Sequence, residues 1–559
     1  MHTFARGDQG DTSPSASRRT PRARWLVGAA TAGAVLAVSA CGGDGSTTTS
    51  EEAPNATFTY AMTNVPTVLD PAVHQGDPSR HIGFELGSTL FAYDTSKLAD
   101  NGCTELAGAD DVRGELAESW EYAPDRKSIR VTLRDTASAA GNKLTSADVD
   151  WSFDRMIALE VGNPNLLMFN VADYAEDPIV PVDDRTFDIM LNESTALDLA
   201  ILTWYQFRIL DSTEVKKHVT PDDPWGKKWL ETNVADFGPW QLDPAEFDPG
   251  NQVTFTRNPN YTGERGDVER LIFTAAPDAS SRMQLLQSGV VDFADRLSYD
   301  QYANLTNAQG VEVHRCISAD RIPLVLNFKT DAFADNDVRR AISMGIDREA
   351  IVQGVYQGFN QPSKYGLSQA YEFERTDANT YVYDPEQARK LLQDAGYDRI
   401  EAELTISPTR PGEEAEQIAV LLRSQLADIG VDLTINTIPG DNQFATTYHD
   451  GSYEALLYLE PPGVADPFYS LNLYNTSTSY LNTQGYSNPE YDRLTNEIRY
   501  VQPGPERSEL IEQAATVLVQ EPGFIYLIDK EFVHAVTDRF TNWPHPPTGE
   551  LFVHTLQFK

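Results

Sequence analysis

The chain has 559 residues, of which 41% are hydrophobic and 23% are charged. This length and composition are typical of a globular protein with more than one compact unit and argue against a disordered chain. The formal net charge of −39 argues against a nucleic-acid-binding protein, because phosphate recognition needs a basic surface. The charge indicates a solvated acidic surface or, as the alternative, an acidic cleft that attracts cationic solutes.

The first 40 residues have the pattern of a targeting segment. Four arginines between positions 18 and 24 give it a positive charge, and residues 25–40 form an apolar run that ends in small residues. The run is shorter than the ~20 residues that a membrane-spanning helix needs. We therefore predict that residues 1–40 are a signal peptide.

Cys41 follows this segment directly. The sequence Val38-Ser39-Ala40-Cys41 resembles the bacterial lipobox, in which the cysteine thiol carries a diacylglycerol after cleavage. We predict that Cys41 is the lipidation site and that residues 41–54, which are rich in Gly, Ser and Thr, form a flexible tether. The protein would then stand at the extracytoplasmic face of the cell membrane. An ordinary signal peptide with an incidental cysteine is the alternative.

Beyond the tether, short apolar strands alternate with amphipathic helices, which predicts an α/β fold. Thr145, Asp384 and Asn488 each have the sequence context of a helix N-cap. Residues 414–430 have helical periodicity, and the alternating residues 431–435 after them predict a strand. Two cysteines in this part, Cys103 and Cys316, form one disulfide or remain free, and the sequence does not decide between these states.

Several segments, in this order, resemble family 5 of the bacterial extracellular solute-binding proteins. The longest is 326–358 (LNFKTDAFADNDVRRAISMGIDREAIVQGVYQG). The others lie at 116–120, 128–135, 142–156, 237–240, 258–261, 281–292, 384–397, 425–430 and 466–467. Each segment alone is a weak signal, but their shared order along most of the chain is specific.

The resemblance implies an α/β, two-lobed, periplasmic-binding-protein-like fold of type II (Venus flytrap). The implied ranges are 55–317 with 530–559 for lobe I, 91–229 for an extra subdomain within it, and 318–529 for lobe II. The chain would cross between the lobes near 317–326 and 526–532, which are both extended in sequence pattern. Such a pair of crossings would act as a hinge.

The resemblance also implies a function. The chain would be the extracytoplasmic solute-binding lipoprotein of an ABC importer, a monomer without cofactor, metal or nucleic acid. It would capture an oligopeptide-like solute between its lobes and deliver it to the permease and ATPase subunits. The alternatives are an oligosaccharide, a metal chelate or another natural product as the solute, or a receptor that senses its ligand for signalling.

The predicted solute contacts lie near Asp466-Pro467. Peptide-binding relatives carry an acidic residue just upstream of such a pair, but Gly463 stands three positions before Asp466 here. Glu460 is the carboxylate that would replace it, and a surface or helix-capping glutamate is the alternative.

The remaining predicted contacts are aromatic and cationic. Tyr458, Tyr448 and Trp240 are candidate walls of the cleft, with ordinary core packing as the alternative for each. Arg410, in a loop after an apolar strand, is a candidate contact for an anionic group of the solute.

An enzyme is not predicted. The sequence contains no His-Glu-x-x-His, Gly-x-Ser-x-Gly, Walker or Cys-x-x-Cys motif. His74 and His81 are the nearest approach to a metal pair, and their spacing is a weak signal. We therefore predict no catalytic residue and no metal ligand.

Replacing Cys41 by alanine should abolish lipid attachment, because the lipobox places the diacylglycerol on that thiol. We expect the wild type to incorporate labelled palmitate and remain with membranes, and Cys41→Ala to take no label and enter the medium. Cys103→Ala is the matched control and should still be labelled. A wild type without label, beside a Cys41→Ala variant that stays on the membrane, would contradict the lipobox.

Overall fold

The computed structural model describes residues 56–73, 76–99, 103–105, 111–371, 373–461, 463–545, 549 and 551–559. The predicted signal peptide, the tether and Cys41 lie outside these residues, as does His74. Within the described ranges, no helix is both long enough and apolar enough to cross a membrane.

Seventeen strands are found in the described part of the chain. They are β1 Thr57–Met62, β2 Phe91–Tyr93, β3 Val112–Gly114, β4 Ala117–Tyr122, β5 Ser128–Leu133, β6 Tyr174–Pro181, β7 Thr186–Leu191, β8 Trp240–Asp248, β9 Gln252–Arg257, β10 Arg270–Ala275, β11 Phe293–Ala294, β12 Val311–Leu326, β13 Gln361–Pro362, β14 Ile400–Ile406, β15 Val431–Thr437, β16 Ala455–Leu457 and β17 Phe524–Thr537.

The α-helices of the same ranges lie mostly between these strands. They are α1 Asp77–Leu86, α2 Ser146–Ala158, α3 Gly162–Leu166, α4 Ser212–Val215, α5 Lys227–Leu230, α6 Ala279–Gln287, α7 Tyr299–Leu305, α8 Asp331–Ala334, α9 Asn336–Met344, α10 Arg348–Val355, α11 Pro385–Asp394, α12 Ala415–Ala427, α13 Asp441–His449, α14 Pro467–Asn475, α15 Pro489–Tyr500 and α16 Pro505–Gln520.

The three predicted helix starts are confirmed. Thr145 caps α2 in a reciprocal arrangement with Asp148, whose carboxylate accepts from the Thr145 backbone N–H. The Asp384 carboxylate accepts from the third residue of α11, and the Asn488 side chain accepts from two backbone N–H groups of α15. These bonds satisfy donors that a helix start would otherwise leave unpaired. The predicted helix at 414–430 and the strand after it are found as α12 and β15.

One long sheet runs through the body of the protein. Its strand order is β15-β14-β16-β12-β17-β11-β1-β10-β9-β8, and β13 adds to β17. We call β11, β1, β10, β9 and β8 the first arm, and β16, β14 and β15 the second arm. The long antiparallel strands β12 and β17 belong to both arms, so the fold is α/β and two-lobed.

The pairing of β12 with β17 is interrupted midway. Ile317 pairs with Glu531 and Arg321 pairs with Asp529, so residues 318–320 lie opposite Lys530 alone. Such a bulge bends a strand pair and leaves its extra residues outside the ladder. The interruption lies within the segments predicted as interlobe crossings. The lobe boundaries and the hinge themselves stay a prediction.

A separate four-stranded sheet, in the order β4-β5-β7-β6, lies within the range predicted as the extra subdomain. The buried side chains of this sheet belong to one continuous apolar core. Residues of α2 and of segments next to the second arm belong to the same core. Phe153, Phe207, Tyr448 and Phe468 all belong to this core. The second arm and the first arm each have a further core of their own, between their strands and covering helices.

Cys103 and Cys316 form a disulfide, which resolves the alternative that the sequence left open. Cys103 lies in a bridge beside Trp543, and Cys316 is in β12 next to the interruption. The bond therefore fastens a loop from the predicted subdomain range to the strand pair that joins the two arms. It closes a loop of 213 residues, and long loops lose the most chain entropy when they are closed.

Removing this bond should destabilise the protein. We expect Cys316→Ser to lower the free energy of unfolding by about 2–5 kcal/mol, the usual cost of losing a native disulfide. Guanidinium denaturation followed by circular dichroism measures the difference. Reduction of the wild type should give a similar loss and reduction of Cys316→Ser no further loss. Equal stability of reduced and oxidised wild type would contradict the assignment.

Candidate functional site

Charged side chains from several segments meet beside the interruption of β12 and β17. Asp320 and Lys530 lie in the interruption itself, Glu414 precedes α12 of the second arm, and Arg296 follows β11 of the first arm. The Lys530 Nζ is 3.7 Å from the Glu414 Oε1. Each of these four side chains keeps some contact with solvent. The group is thus drawn from both arms and from the strands that join them.

These groups are partly desolvated although solvent reaches them. Arg296 is exposed, yet desolvation is the largest influence on its pKa and lowers it. Burial likewise raises the pKa of Asp320, against the effects of nearby Arg80 and Lys530. For Lys530, burial acts to lower the pKa, but Tyr299, Glu414 and Asp320 together raise it. Groups from both arms that are partly accessible yet desolvated are what a cleft between the two arms would contain.

Glu460, predicted as a solute contact, lies next to this cleft and is 1% exposed. Its backbone pairs with that of Arg321 across the end of the β12 ladder. The Tyr526 hydroxyl donates to its Oε2 at 2.7 Å, whereas Oε1 has no hydrogen-bond partner among the described residues. Burial raises the pKa of Glu460 to about 7, although Arg321, Tyr526 and Ser470 act to lower it. A half-satisfied buried carboxylate can accept a further donor.

Arg321 fixes the surroundings of this carboxylate. Its Nε donates to the Asp529 Oδ1 at 2.9 Å, and its two terminal nitrogens donate to the Gly366 and Tyr365 carbonyl oxygens. The guanidinium lies 3.5 Å from the centre of the Tyr526 ring. This network ties β12, β17 and the loop after β13 together, so Tyr526 is held in place to bond with the carboxylate.

Tyr458, Tyr448 and Arg410, all predicted as contacts, are brought together. The Tyr458 and Tyr448 rings stack with centroids 4.3 Å apart, and the Arg410 Nη1 donates to the Tyr458 hydroxyl at 3.4 Å. Tyr448 is 1% exposed and its hydroxyl donates to the Leu481 carbonyl, so it supports Tyr458 from behind. Burial acts to lower the pKa of Arg410, but Tyr458 and Asp441 outweigh it and raise the pKa.

Trp240 does not join this group. It begins β8 at the far side of the first arm, is 1% exposed, and belongs to the core of that arm. Its Nε1 donates to the Glu85 Oε2 at 2.9 Å, and the Arg257 guanidinium lies 4.5 Å from its ring centre. Because its ring and its only donor are both used inside the core, we leave Trp240 out of the proposed site.

The segment before α14 explains why Gly463 is a glycine. A Cβ at this position would lie 2.5 Å from the Tyr469 hydroxyl oxygen. The space in which a side chain at 463 would begin is therefore filled by Tyr469. Asp466, three residues later, caps α14 and accepts two hydrogen bonds from Arg507. Asp466 is thus engaged in the structure and leaves Glu460 as the available carboxylate of this segment.

A cavity lies between the first arm and the predicted subdomain. Its empty volume is about 500 Å³, open to solvent, and its wall includes Tyr93, Thr203, Arg113 and Glu115. Tyr93 also faces the segment before α14, because its hydroxyl accepts from the Ala465 backbone N–H at 3.0 Å. This cavity therefore borders the interlobe region through Tyr93, but the charged groups beside Lys530 do not line it.

The cysteines and histidines form no available metal site in the described residues. Cys103, Cys316 and His545 offer ligand atoms within 4.8 Å of one another, but the two sulfurs are joined in the disulfide. His81 is buried in the first arm, and its ring lies beside Tyr60. Burial lowers the pKa of His81 to about 3, so its ring stays neutral at ordinary pH.

The sequence did not predict Arg296, Lys530, Asp320 or Glu414 as site residues. Asp320 and Lys530 carried a usable signal, since each is a charge within an apolar strand at a predicted crossing. Arg296 has a backbone φ of 47°, which is uncommon for a residue other than glycine and is often associated with functional sites. That conformation is visible only in the structure.

Comparison with known proteins gives the family. Residues 111–482 match the profile described as bacterial extracellular solute-binding proteins, family 5 Middle. The chain is 25% identical over 492 residues to the probable D,D-dipeptide-binding periplasmic protein DdpA of Escherichia coli K12, covering 87% of this chain and 90% of that protein. It is 23% identical over 547 residues to heme-binding protein A of Haemophilus influenzae, covering 93% and 96%.

A solved structure agrees on the fold. DppA from Helicobacter pylori in complex with the peptide STSA superposes with a TM-score of 0.74 and 20% identity, covering 89% of this chain and 97% of that one. The predicted two-lobed fold is thereby confirmed. The chain belongs to family 5 of the bacterial extracellular solute-binding proteins, which are solute-binding components of ABC transporters and not enzymes.

Proposed function

We propose that this protein is the solute-binding lipoprotein of an ABC importer and captures an oligopeptide-like solute in the cleft between its arms. The observation that carries the proposal is the convergence of Arg296, Glu414, Asp320 and Lys530 on the interruption of β12 and β17. Groups from both arms and from the joining strands meet there. A solute bound among them would contact both lobes, so binding would favour closure.

The chemistry of the cleft suits a peptide-like solute. Charges of both signs are present, and Glu460 offers an unoccupied acceptor oxygen beside them. Tyr458 supplies an aromatic wall that is rigidly backed by Tyr448. A peptide carries an ammonium group, a carboxylate and apolar side chains, and each of these finds a partner of suitable chemistry. Relatives named for a D,D-dipeptide and for heme show that this family accommodates different solutes.

In this proposal the hinge is the interruption at residues 318–320 and 530, and the lobes have the ranges predicted from the sequence. The lipid on Cys41 and the tether at 41–54 would hold the receptor near its permease and ATPase partners. The protein would act as a monomer without a cofactor. An oligosaccharide, a metal chelate or another natural product would use the same cleft, and a sensing receptor would share the fold.

The purified protein should bind one small solute per chain and release it chemically unchanged, because a binding component carries no catalytic group. Native mass spectrometry should show the complex, and denaturation should release a solute of the same mass. In proteoliposomes containing the permease and ATPase, this protein should be required for uptake of that solute. Turnover of the solute by the protein alone, or uptake without the protein, would contradict the proposal.

Glu460 should make the stability of the empty protein depend on pH. Its folded-state pKa of about 7 is above the ordinary value of 4.5, so the folded protein binds the proton more tightly than the unfolded chain. The unfolding free energy of the wild type, relative to Glu460→Gln, should therefore fall as the pH rises from about 4.5 to about 7. The expected fall is on the order of 3 kcal/mol.

Urea denaturation of both proteins between pH 4.5 and pH 8 measures this difference. Glu509→Gln is the matched control, because Glu509 is exposed on α16, and its difference from the wild type should stay nearly constant with pH. If Glu460→Gln behaves like this control, Glu460 is charged in the folded protein and the description of its site is wrong.

A further inference from the structure

Three side chains of metal-ligating type meet at the disulfide. The Cys103 and Cys316 sulfurs and a ring nitrogen of His545 all lie within 4.8 Å of one another, and all three residues are buried. We call these three residues the Cys2His cluster. Thiolates and a neutral imidazole are ligands that Zn²⁺ prefers in proteins. The cluster therefore has the residue types of a zinc site, although its sulfurs are joined to each other rather than present as thiolates.

Contacts that do not involve the sulfurs fix the positions of the cluster residues. Cys103 pairs with Trp543 in a parallel bridge, and the His545 backbone N–H donates to the Thr104 Oγ1 at 2.9 Å. The segments of Cys103 and His545 therefore run side by side. Cys316 is held separately, by its place in the ladder of β12 with β17. These contacts do not depend on the bond between the sulfurs, so opening that bond leaves the three side chains close together.

The geometry allows both cysteines to ligate one ion. Their Cα atoms are 5.5 Å apart, and Zn–S bonds are about 2.3 Å long, so a rotation of the side chains is enough. The bond also lies just beneath the surface. Ile317, the residue after Cys316, is 56% exposed, and Glu105, two residues after Cys103, is exposed as well. A small reductant and a metal ion can therefore approach the cluster from these positions.

The surroundings of the cluster favour a divalent ion. The Phe532 ring centre lies 5.7 Å from that of His545, and the neighbouring Trp543 is 1% exposed. A net charge in such an apolar place would be costly. Two thiolates balance the charge of one divalent cation, and a neutral imidazole adds none. A monovalent cation such as Cu⁺ would leave a net negative charge, so charge balance favours Zn²⁺.

We propose that the Cys2His cluster binds Zn²⁺ once a dithiol reductant has opened the disulfide. One thiolate of the reductant attacks a cysteine sulfur, and the sulfur–sulfur bond breaks to release the other cysteine. The second thiolate of the reductant then displaces the first cysteine and closes a disulfide within the reductant. Two electrons thus pass to the cysteines, each of which takes up a proton.

Binding of Zn²⁺ then replaces the two thiol protons. The three protein ligands leave the fourth tetrahedral position to a water molecule. The ion restores the cross-link between the loop of Cys103 and β12, which reduction removes. This inference is independent of the proposed function, because the cluster shares no residue with the candidate solute contacts.

The first test uses Co²⁺ as a spectroscopic probe of the site. It is done on the full chain with Cys41→Ala, in which Cys103 and Cys316 are the only cysteines. After reduction by dithiothreitol and its removal without air, the protein should have two titratable thiols and bind one Co²⁺. A thiolate-to-cobalt charge-transfer band should appear. The oxidised protein should give no such band, because surface carboxylates do not produce one.

Zn²⁺ should abolish the cobalt band at one equivalent and release about two protons per ion at pH 7, where free thiols are mostly protonated. It should also raise the melting temperature of the reduced protein above that of the reduced protein with a chelator. The oxidised protein should melt at the same temperature with Zn²⁺ and with the chelator.

A histidine variant tests the third ligand. His545→Gln keeps both thiols and should weaken Co²⁺ binding by more than about 100-fold, because the loss of an outer-shell partner alone costs about 10–100-fold. His218→Gln is the matched control, since His218 is exposed, and it should bind Co²⁺ like the parent. Circular dichroism of the oxidised variants verifies that both are folded.

A reduced and folded protein that binds no more Co²⁺ than the oxidised protein would overturn the inference. So would a disulfide that dithiothreitol opens only when the chain unfolds, or equal Co²⁺ binding by His545→Gln and His218→Gln. None of these results bears on solute binding, which the mass spectrometry and uptake experiments test separately.

Discussion

The structure depends on the antiparallel pairing of β12 with β17. Within the long sheet of the described residues, this pair is the only connection between the arms, because every strand of the first arm reaches the second arm through it. Its interruption opposite Lys530 removes ladder hydrogen bonds at the point where the two arms meet. In the proposed function the same feature would serve as the hinge between the arms and would let Asp320 and Lys530 face a solute.

A hinge needs stable segments on both sides. The buried arginines help to stabilise the segments beside the proposed hinge. Arg321 and Asp529 join the two strands just beyond the interruption on the side of the second arm. On the other side, the disulfide holds Cys316 to Cys103, and Arg282 locks the loop of Arg296. An unpaired buried guanidinium is costly, so each of these arginines is bonded to several acceptors. The proposed hinge is thereby limited to a few residues between stabilised segments.

The sequence predicted much of the fold because its signals are local. N-caps at Thr145, Asp384 and Asn488 and the periodicity of α12 depend on neighbouring residues, and all were confirmed. The sequence named Tyr458, Tyr448 and Arg410, which the structure brings together, but their contact with a solute stays a prediction. Trp240 was placed in the cleft by residue type alone, whereas the structure uses it in a core. Arg296 comes from another arm, and only tertiary packing brings it to the others.

The net charge, like the residue types, does not by itself predict the chemistry of the site. A value of −39 describes the whole surface, which keeps the protein soluble and repels other anions at long range. Inside the cleft, the charges of the outer surface are partly screened. The few charged groups in contact with a solute therefore dominate its binding energy. Those groups include Arg296 and Lys530 but also Glu414 and Asp320, so the cleft carries charges of both signs and does not follow the overall charge. The net charge of an acidic protein therefore does not determine the charge of the solute that it binds, because selection is made at the distance of a hydrogen bond.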